Sequence, residues 1–318
     1  MTLPNFIVIG AARSGTTALY YYLKQHPQIY MSPVKEPRFF AFEKADLQFC
    51  GPGDAELHRS SIINLETYQS LFQGVSNEVA IGEASPVYLC SPKAADRMKA
   101  YVPNVKLIAI LRHPVERAYS HFLHLVRDGE EPLTDFAQAL QAEEARVHNN
   151  WEFRWRYTQL GFYASQLQSY FNSFDRHQIK IYLYEDFETN PGNVLYDIFR
   201  FLGVDNIFIP DTSIRYNTSG IPRNEIIHTI LSRLQKVTQK TFDEVPGQES
   251  NPRMHLTKRL SKLLFLDKAR RIGINLKNQN LVKPQLAPEI RKQLVAVYRE
   301  DILALQGLIQ RDLSHWLE

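Results

Sequence analysis

The short loop between Gly10 and Thr17 has the composition of an anion-binding site. Gly10 and Gly15 have the G-x-x-x-x-G spacing of a loop whose backbone N–H groups surround a phosphate at a helix N-terminus. A nucleoside-triphosphate loop continues with Lys and then Ser or Thr, but Thr16 occupies the lysine position. Arg13 instead places a cation inside the loop. The loop is therefore predicted to bind an anion without the groups that hold a triphosphate and magnesium, and an ordinary strand–helix turn is the alternative.

A second candidate anion site begins at Arg112, directly after the apolar run Val105–Leu111. A residue at that point lies at the carboxyl edge of a parallel sheet, where α/β folds bind ligands. Ser120 follows eight residues later, about two turns along the next predicted helix. A guanidinium can hold phosphate oxygens with two N–H groups, and a hydroxyl can donate one more bond. For Arg112 alone, a surface salt bridge is the alternative.

These residues belong to a larger pattern that resembles the sulfotransferases that use 3′-phosphoadenosine-5′-phosphosulfate (PAPS). The matching segments follow the family order along nearly the whole chain: Phe6–Leu19 (FIVIGAARSGTTAL), His26–Pro27, Lys35–Phe40 (KEPRFF), Gly82–Pro86 (GEASP), Leu111–Ser120 (LRHPVERAYS), Tyr184–Phe187 (YEDF) and Arg311–Leu317 (RDLSHWL). The resemblance is to the bacterial type related to heparan-sulfate and tyrosylprotein sulfotransferases. It implies transfer of a sulfuryl group from PAPS to a hydroxyl of a carbohydrate, a lipid or another small molecule, with 3′,5′-ADP as the product.

The same resemblance implies which residues bind the donor. The 5′-phosphosulfate would be held by the first loop, through Arg13, Ser14, Gly15, Thr16 and Thr17. Arg112 and Ser120 would hold the 3′-phosphate. Arg223 falls where many family members bring a basic loop over that phosphate, although a solvated loop arginine explains it as well.

Sulfuryl transfer needs a base for the acceptor hydroxyl and positive charge near the leaving group. Glu36 resembles the family's catalytic glutamate, and its neighbours Pro37 and Phe39–Phe40 are expected to bury it partly and raise its basicity. A surface glutamate paired with Lys35 is the alternative. Arg13 takes the position of the family's catalytic lysine and would stabilise charge developing on the sulfate.

Glu83 is a second candidate base, and it could equally orient Arg13 or cap the following segment. Heparan-sulfate enzymes carry Glu-Lys-(Ser/Thr)-Pro where this chain has Glu83–Pro86, with Ala84 in place of the lysine. A heparan-like polyanionic acceptor is therefore not implied.

A parallel sheet is needed to bring these residues to one edge. Strands are predicted at Asn5–Gly10, Glu78–Gly82, Val105–Leu111 and Ile179–Tyr184, and helices at Thr17–Gln25, Pro92–Tyr101, Pro114–Val126, Leu133–Arg146, Phe162–Phe171 and Gly192–Leu202. Such alternation predicts an α/β fold. With the resemblance, it becomes a P-loop-NTPase-like three-layer fold with a central parallel sheet.

Beyond about residue 207 the chain looks helical, with helices predicted at Glu225–Lys240, Leu256–Arg271 and Glu289–Gln310. We predict one sulfotransferase domain over residues 1–318, with a core to about residue 205 and a helical C-terminal part from 206 to 318. The segment 255–283 is basic and interleaved with leucines. It could contact lipid or a carrier domain weakly, and a solvated helix face is the alternative.

The composition argues against several other classes of protein. The net charge is +3, from 37 basic and 34 acidic residues, which gives no general case for nucleic-acid binding. Cys50 and Cys90 have no metal-site spacing, so no metal is predicted. The apolar runs are too short for an integral membrane segment, and the early strand leaves no room for a signal peptide. These features predict a cytoplasmic protein, either free-standing or part of a larger synthase.

Two other functions remain open at this stage. An ATP-dependent small-molecule kinase could use the same P-loop core, but Thr16 in the lysine position argues against it. A nucleotide-binding regulatory module without chemistry is argued against by the presence of Arg13, Glu36, Arg112 and Ser120.

Overall fold

A computed structural model describes residues 2–216, 218–232 and 271–318 of the chain. The centre of this described part is a sheet of five parallel strands in the order β2-β3-β1-β4-β5. The strands are β1 (Phe6–Gly10), β2 (Ile29–Met31), β3 (Ala80–Ala84), β4 (Lys106–Leu111) and β5 (Ile179–Leu183). Every residue of β1 is buried, as a central parallel strand covered on both faces requires. The predicted α/β fold with a central parallel sheet is confirmed.

Helices connect the strands. Their bounds are α1 (Thr16–Leu23), α2 (Phe39–Phe42), α3 (Asp54–Ser60), α4 (Leu65–Ser70), α5 (Ala94–Tyr101), α6 (Pro114–Arg127), α7 (Phe136–Gln141), α8 (Glu143–His148), α9 (Tyr163–Ser173), α10 (Tyr184–Thr189), α11 (Pro191–Leu202) and α12 (Pro288–Ile309). The single helix predicted over Leu133–Arg146 is wrong: two helices occupy this region. The first begins after Asp135, because the Asp135 side chain accepts the Gln138 N–H at 2.9 Å and caps the helix there.

Two compact units make up the chain, one from the N-terminus to Thr212 together with Gln285–Glu318, the other Ser213–Pro284. In the second unit, β6 (Ile221–Pro222) pairs antiparallel with β7 (Leu281–Val282), and residues 225–232 and 271–279 are helical. The helix predicted from residue 225 is observed up to residue 232, and the rest of it lies outside the described residues. So does the helix predicted at 256–271, apart from its last residue. The single domain over 1–318 stays a prediction.

Helix α12 belongs to the first unit and packs on α9 and α6. The Tyr298 hydroxyl donates to the Thr158 carbonyl at 3.0 Å, and the Asp301 carboxylate accepts the Ala164 N–H at 3.0 Å. After α12, the ring of Trp316 is fully buried 5.9 Å from the ring of His113. Among the described residues, we find no helix with the length and apolar content that crossing a bilayer demands.

Candidate active site

The loop from β1 to α1 requires glycine at two positions. A Cβ atom on Gly10 would lie 2.6 Å from the Cβ of Leu89, which is closer than real side chains approach. Gly15 has φ +88° and precedes the first residue of α1, a left-handed conformation that costs other residues about 1–2 kcal/mol. The G-x-x-x-x-G spacing therefore reflects two backbone requirements, and the loop turns directly into a helix N-terminus.

Donor groups in this loop fit an anion. Ser14 is fully buried, and its Oγ has no hydrogen-bond partner within the described parts of the chain. No side chain caps the start of α1. A buried hydroxyl and the first N–H groups of a helix are the donors that a phosphate or phosphosulfate needs.

Arg13, Arg112 and Ser120 come together at the carboxyl edge of the sheet, as the sequence predicts. The Arg13 Nε donates to the Ser120 Oγ at 3.2 Å, and Ser120 is fully buried. The Arg112 Nη1 donates to the Arg13 carbonyl at 3.2 Å. Burial, with the charges of Arg127 and Arg112, lowers the pKa of Arg13 to about 9. Repulsion among these guanidinium groups would be relieved by a bound anion.

Arg112 is held by aromatic and backbone contacts. Its guanidinium lies over the ring of Tyr184, 4.7 Å from the centroid, and the Tyr163 hydroxyl donates to its carbonyl at 3.0 Å. Its buried Nε has no hydrogen-bond partner among the residues that the structure describes. The YEDF segment thus supports the site: Phe187 also borders Gly15, where a Cβ would lie 3.2 Å from its ring.

Arg127 is a third cation of this site that the sequence interpretation missed. It lies seven residues after Ser120 on α6, and therefore on the same helix face. Its side chain is only 6% exposed, and its Nε donates to the Asp128 carboxylate at 2.8 Å. The seven-residue spacing from Ser120 is the signal that could have identified it.

Glu36 lies in the loop before α2, at the same edge of the sheet. Its backbone N–H donates at 3.0 Å to the carbonyl of Ala84, the last residue of β3. The carboxylate is about one-third exposed and pairs with the Lys35 Nζ at 2.5 Å and the Arg38 Nη2 at 3.3 Å. The expected increase in basicity is wrong. Burial does raise the pKa of Glu36, but Lys35 and Arg38 lower it more, to about 2.

Glu83 is fully buried at the end of β3. Its Oε1 accepts from the Tyr88 hydroxyl at 2.7 Å and from the Tyr68 hydroxyl at 3.2 Å, and its Oε2 accepts from the Ser85 hydroxyl at 2.9 Å. Burial raises the pKa of Glu83 to about 7 although these hydrogen bonds lower it, and the nearby charge of Glu36 raises it further. The hydroxyl cluster could not be predicted, because Tyr68 is distant in sequence.

The remaining predicted residues belong to the start of α1, to the second compact unit, or to residues outside the described ranges. Thr16 is buried and Thr17 half-buried at the start of α1. Arg223 is exposed in the second compact unit, where its N–H donates to the Asn280 carbonyl at 2.7 Å, and its role at the 3′-phosphate stays a prediction. No cluster of three or more potential metal ligands forms in the described ranges. Residues 255–270 of the basic segment lie outside the described residues, so its lipid or carrier contact also stays a prediction.

Comparison with known proteins connects this geometry to one family. A sequence model described as "Sulfotransferase family" matches residues 4–208. Among solved structures, the crystal structure of a sulfotransferase from Alicyclobacillus acidocaldarius is similar over 100% of both chains, with 33% sequence identity and a TM-score of 0.75.

Two curated relatives match over shorter segments. The membrane-associated sulfotransferase kil1 of Dictyostelium discoideum is 37% identical over 154 residues, which are 46% of this chain and 29% of the relative. The human bifunctional heparan sulfate N-deacetylase/N-sulfotransferase 3 is 31% identical over 207 residues, covering 64% of this chain and 22% of the relative. The chain thus spans less than a third of the length of these two proteins.

Proposed function

Because this chain belongs to the sulfotransferase family, we propose that it transfers the sulfuryl group of PAPS to a hydroxyl of a carbohydrate, a lipid or another small molecule. One observation carries this proposal: the cations of two anion sites are linked at one sheet edge. Arg13, inside the first loop, bonds to Ser120, and Arg112 bonds to the backbone of Arg13. A donor with a 5′-phosphosulfate and a separate 3′-phosphate has the two anionic groups that this arrangement calls for.

The donor would be bound by residues of the loop before α1, of the end of β4 and of α6. The loop Gly10–Thr17 and the start of α1 would hold the 5′-phosphosulfate, with the Ser14 hydroxyl, which has no partner among the described residues, as one donor. Arg112 and Ser120 would hold the 3′-phosphate, and the role of Arg223 stays a prediction from the sequence. The chain lacks the lysine that a kinase would use for β- and γ-phosphates, since Thr16 takes its place.

In the transfer itself, the acceptor oxygen forms a bond to sulfur while the bond from sulfur to the 5′-phosphate oxygen breaks. The electron pair of that bond leaves with 3′,5′-ADP, and Arg13 stabilises the charge that develops there. Glu36 takes the proton of the acceptor. With a pKa of about 2, Glu36 is ionised at neutral pH but is a weak base, so it accepts the proton only as the attacking oxygen becomes more acidic in the transition state.

Glu36 is favoured over Glu83 as the base because of access. The Glu83 side chain is fully buried behind the hydroxyl groups that bond to it, whereas that of Glu36 is about one-third exposed.

A panel of acceptors tests the proposal. The protein would be incubated with PAPS and sugars, lipids or phenols, with amino sugars as the nitrogen-bearing comparison, and 3′,5′-ADP and sulfated product would be quantified. We expect equal amounts of both from a hydroxyl acceptor, unchanged by chelation of magnesium. Sulfation of amines alone would reject the hydroxyl acceptor, and consumption of ATP instead of PAPS would reject the function. The cytoplasmic location stays a prediction.

A further inference from the structure

Two hydroxyl bridges connect Glu83 to the loop that carries Glu36 and to the first turn of α2, which follows that loop directly. In one bridge, the Arg38 N–H donates to the Ser85 Oγ at 3.1 Å, and the Ser85 hydroxyl donates to the Glu83 carboxylate at 2.9 Å. In the other, the Phe40 N–H donates to the Tyr88 hydroxyl at 3.4 Å, and that hydroxyl donates to Glu83 at 2.7 Å. All members of both bridges except Arg38 are buried.

The charge of Glu83 decides which groups donate and which accept in these hydrogen bonds. A hydroxyl has one proton, and an ionised carboxylate can only accept. Ser85 and Tyr88 therefore give their protons to Glu83, which leaves their oxygens turned toward the loop N–H groups. A neutral amide or a protonated carboxyl at this position would donate to a bridging oxygen instead. One buried hydroxyl proton would then lose its acceptor.

The fastened loop has a backbone that needs such support. Glu36 has φ +64° and Arg38 has φ +60°, both in the left-handed region that is unfavourable for residues other than glycine. Conformations of this kind persist only where surrounding contacts enforce them. Here the contacts are the bridge to Ser85 and the Glu36 N–H bond to the Ala84 carbonyl. The same turn brings the Arg38 guanidinium onto the Glu36 carboxylate.

We propose that Glu83 is a positioning residue for sulfuryl transfer: its carboxylate orients the hydroxyls of Ser85 and Tyr88, and these hold the Glu36 loop in its reactive conformation. This inference rests on the proposed function, in which Glu36 is the base. It gives the fully buried Glu83 a task that requires no contact with the acceptor.

A pH dependence follows from the same contacts. The groups facing Glu83 are the hydroxyls of Tyr68, Tyr88 and Ser85, the carboxylate of Glu36, and Tyr170 on α9. A protonated Glu83 would donate a hydrogen bond to one of the bridging hydroxyl oxygens instead of accepting one. Because the pKa of Glu83 is about 7, this change occurs near neutral pH. We therefore expect kcat to fall below about pH 7. Glu36, whose pKa is about 2, cannot cause a loss in that range.

Tyr88→Phe and Tyr68→Phe form a matched pair. Both remove one hydroxyl that donates to Glu83, but of the two only the Tyr88 hydroxyl also accepts a backbone N–H, that of Phe40 at the start of α2. At pH 8.5, Tyr88→Phe and Ser85→Ala should lower kcat about tenfold or more, since small displacements of a catalytic group are costly. Binding of 3′,5′-ADP should stay unchanged. Tyr68→Phe should keep kcat within about threefold and move the acid limb to higher pH, because it removes a bond that favours the carboxylate.

A double-mutant cycle with Glu36→Gln separates positioning from general damage. If the bridges act through Glu36, Ser85→Ala should have no further effect on kcat in the Glu36→Gln background. Multiplicative losses there would overturn the inference, as would an acid limb near pH 7 that persists in Glu83→Gln. A different result, full activity of Glu36→Gln, would remove the proposed base itself. Absence of sulfuryl transfer by the wild type would instead reject the proposed function.

Discussion

Replacing Arg112 with Ala should separate recognition of the 3′-phosphate from recognition of the rest of the donor. The guanidinium is oriented by the ring of Tyr184 at 4.7 Å, and its buried Nε has no hydrogen-bond partner in the described part of the chain. The Nη1 atom donates to the Arg13 carbonyl, and in the proposed function the remaining donors of the guanidinium bind the 3′-phosphate.

The expected magnitude follows from the bonds that are lost. A hydrogen bond to a charged group contributes about 1.5–3 kcal/mol, and a guanidinium fork can make two of them to a phosphate. Arg13 and Arg127 remain nearby and retain part of the positive potential. We therefore expect about 3 kcal/mol, which corresponds to roughly 100-fold weaker binding of 3′,5′-ADP. Arg112→Lys keeps the charge but loses the fork, so its loss should be about tenfold.

Isothermal titration calorimetry with two ligands makes the assay specific. Binding of 5′-AMP, which has no 3′-phosphate, should change by less than about threefold in Arg112→Ala. Likewise, turnover of PAPS should fall far more than turnover of adenosine 5′-phosphosulfate. Arg200→Ala is a matched control, because the exposed Arg200 also lies over a tyrosine ring, that of Tyr196 at 5.9 Å. Equal losses of affinity for 3′,5′-ADP and 5′-AMP would contradict binding of the 3′-phosphate by Arg112. They would mean that Arg112 acts by supporting the loop that carries Arg13.

Three further changes test other parts of the site. Glu36→Gln should lower kcat by about 10²–10⁴-fold with unchanged 3′,5′-ADP binding by calorimetry; retained turnover would contradict the assignment of the base. Gly15→Ala should lower the free energy of unfolding by about 1–2 kcal/mol and weaken 3′,5′-ADP binding. The reason is that φ at Gly15 is +88° and the new Cβ would lie 3.2 Å from the ring of Phe187. Denaturant titration measures the free energy of unfolding, and an unchanged value would contradict the prediction. Burial raises the pKa of Glu83 from 4.5 to about 7. The wild type should therefore lose about 3 kcal/mol of stability relative to Glu83→Gln as the pH rises from about 4.5 to 7. A constant difference in unfolding free energy between pH 4.5 and pH 8 would show that Glu83 does not titrate in this way.

The donor loop could be predicted from sequence because its determinants are local. Gly15 is required by the left-handed backbone of one short turn, and Arg112 follows directly from its place after a buried strand. The same reasoning found four of the five strands, because β1 and β4 are mostly apolar and alternate with predicted helices. It missed β2, with three residues, and α2, with four, because such short elements show no periodicity.

The environment of the carboxylates could not be predicted in the same way. The neighbours of Glu36 were visible in the sequence, but the left-handed backbone at positions 36 and 38 decides that both Lys35 and Arg38 reach its carboxylate. That contact reverses the expected direction of the Glu36 pKa. The hydroxyls around Glu83 come from α4 and from the short segment that follows β3, and only the tertiary structure shows that two of them also bond to the backbone near the proposed base.

The choice of nucleotide by the wild-type protein tests most directly whether PAPS is its donor. Calorimetric titrations with 3′,5′-ADP and with ATP, each with and without magnesium, compare a ligand that fits two separate anion sites with one that needs a triphosphate loop. We expect binding of 3′,5′-ADP that is independent of magnesium and at least about 100-fold tighter than that of ATP. Tight, magnesium-dependent binding of ATP without binding of 3′,5′-ADP would contradict it.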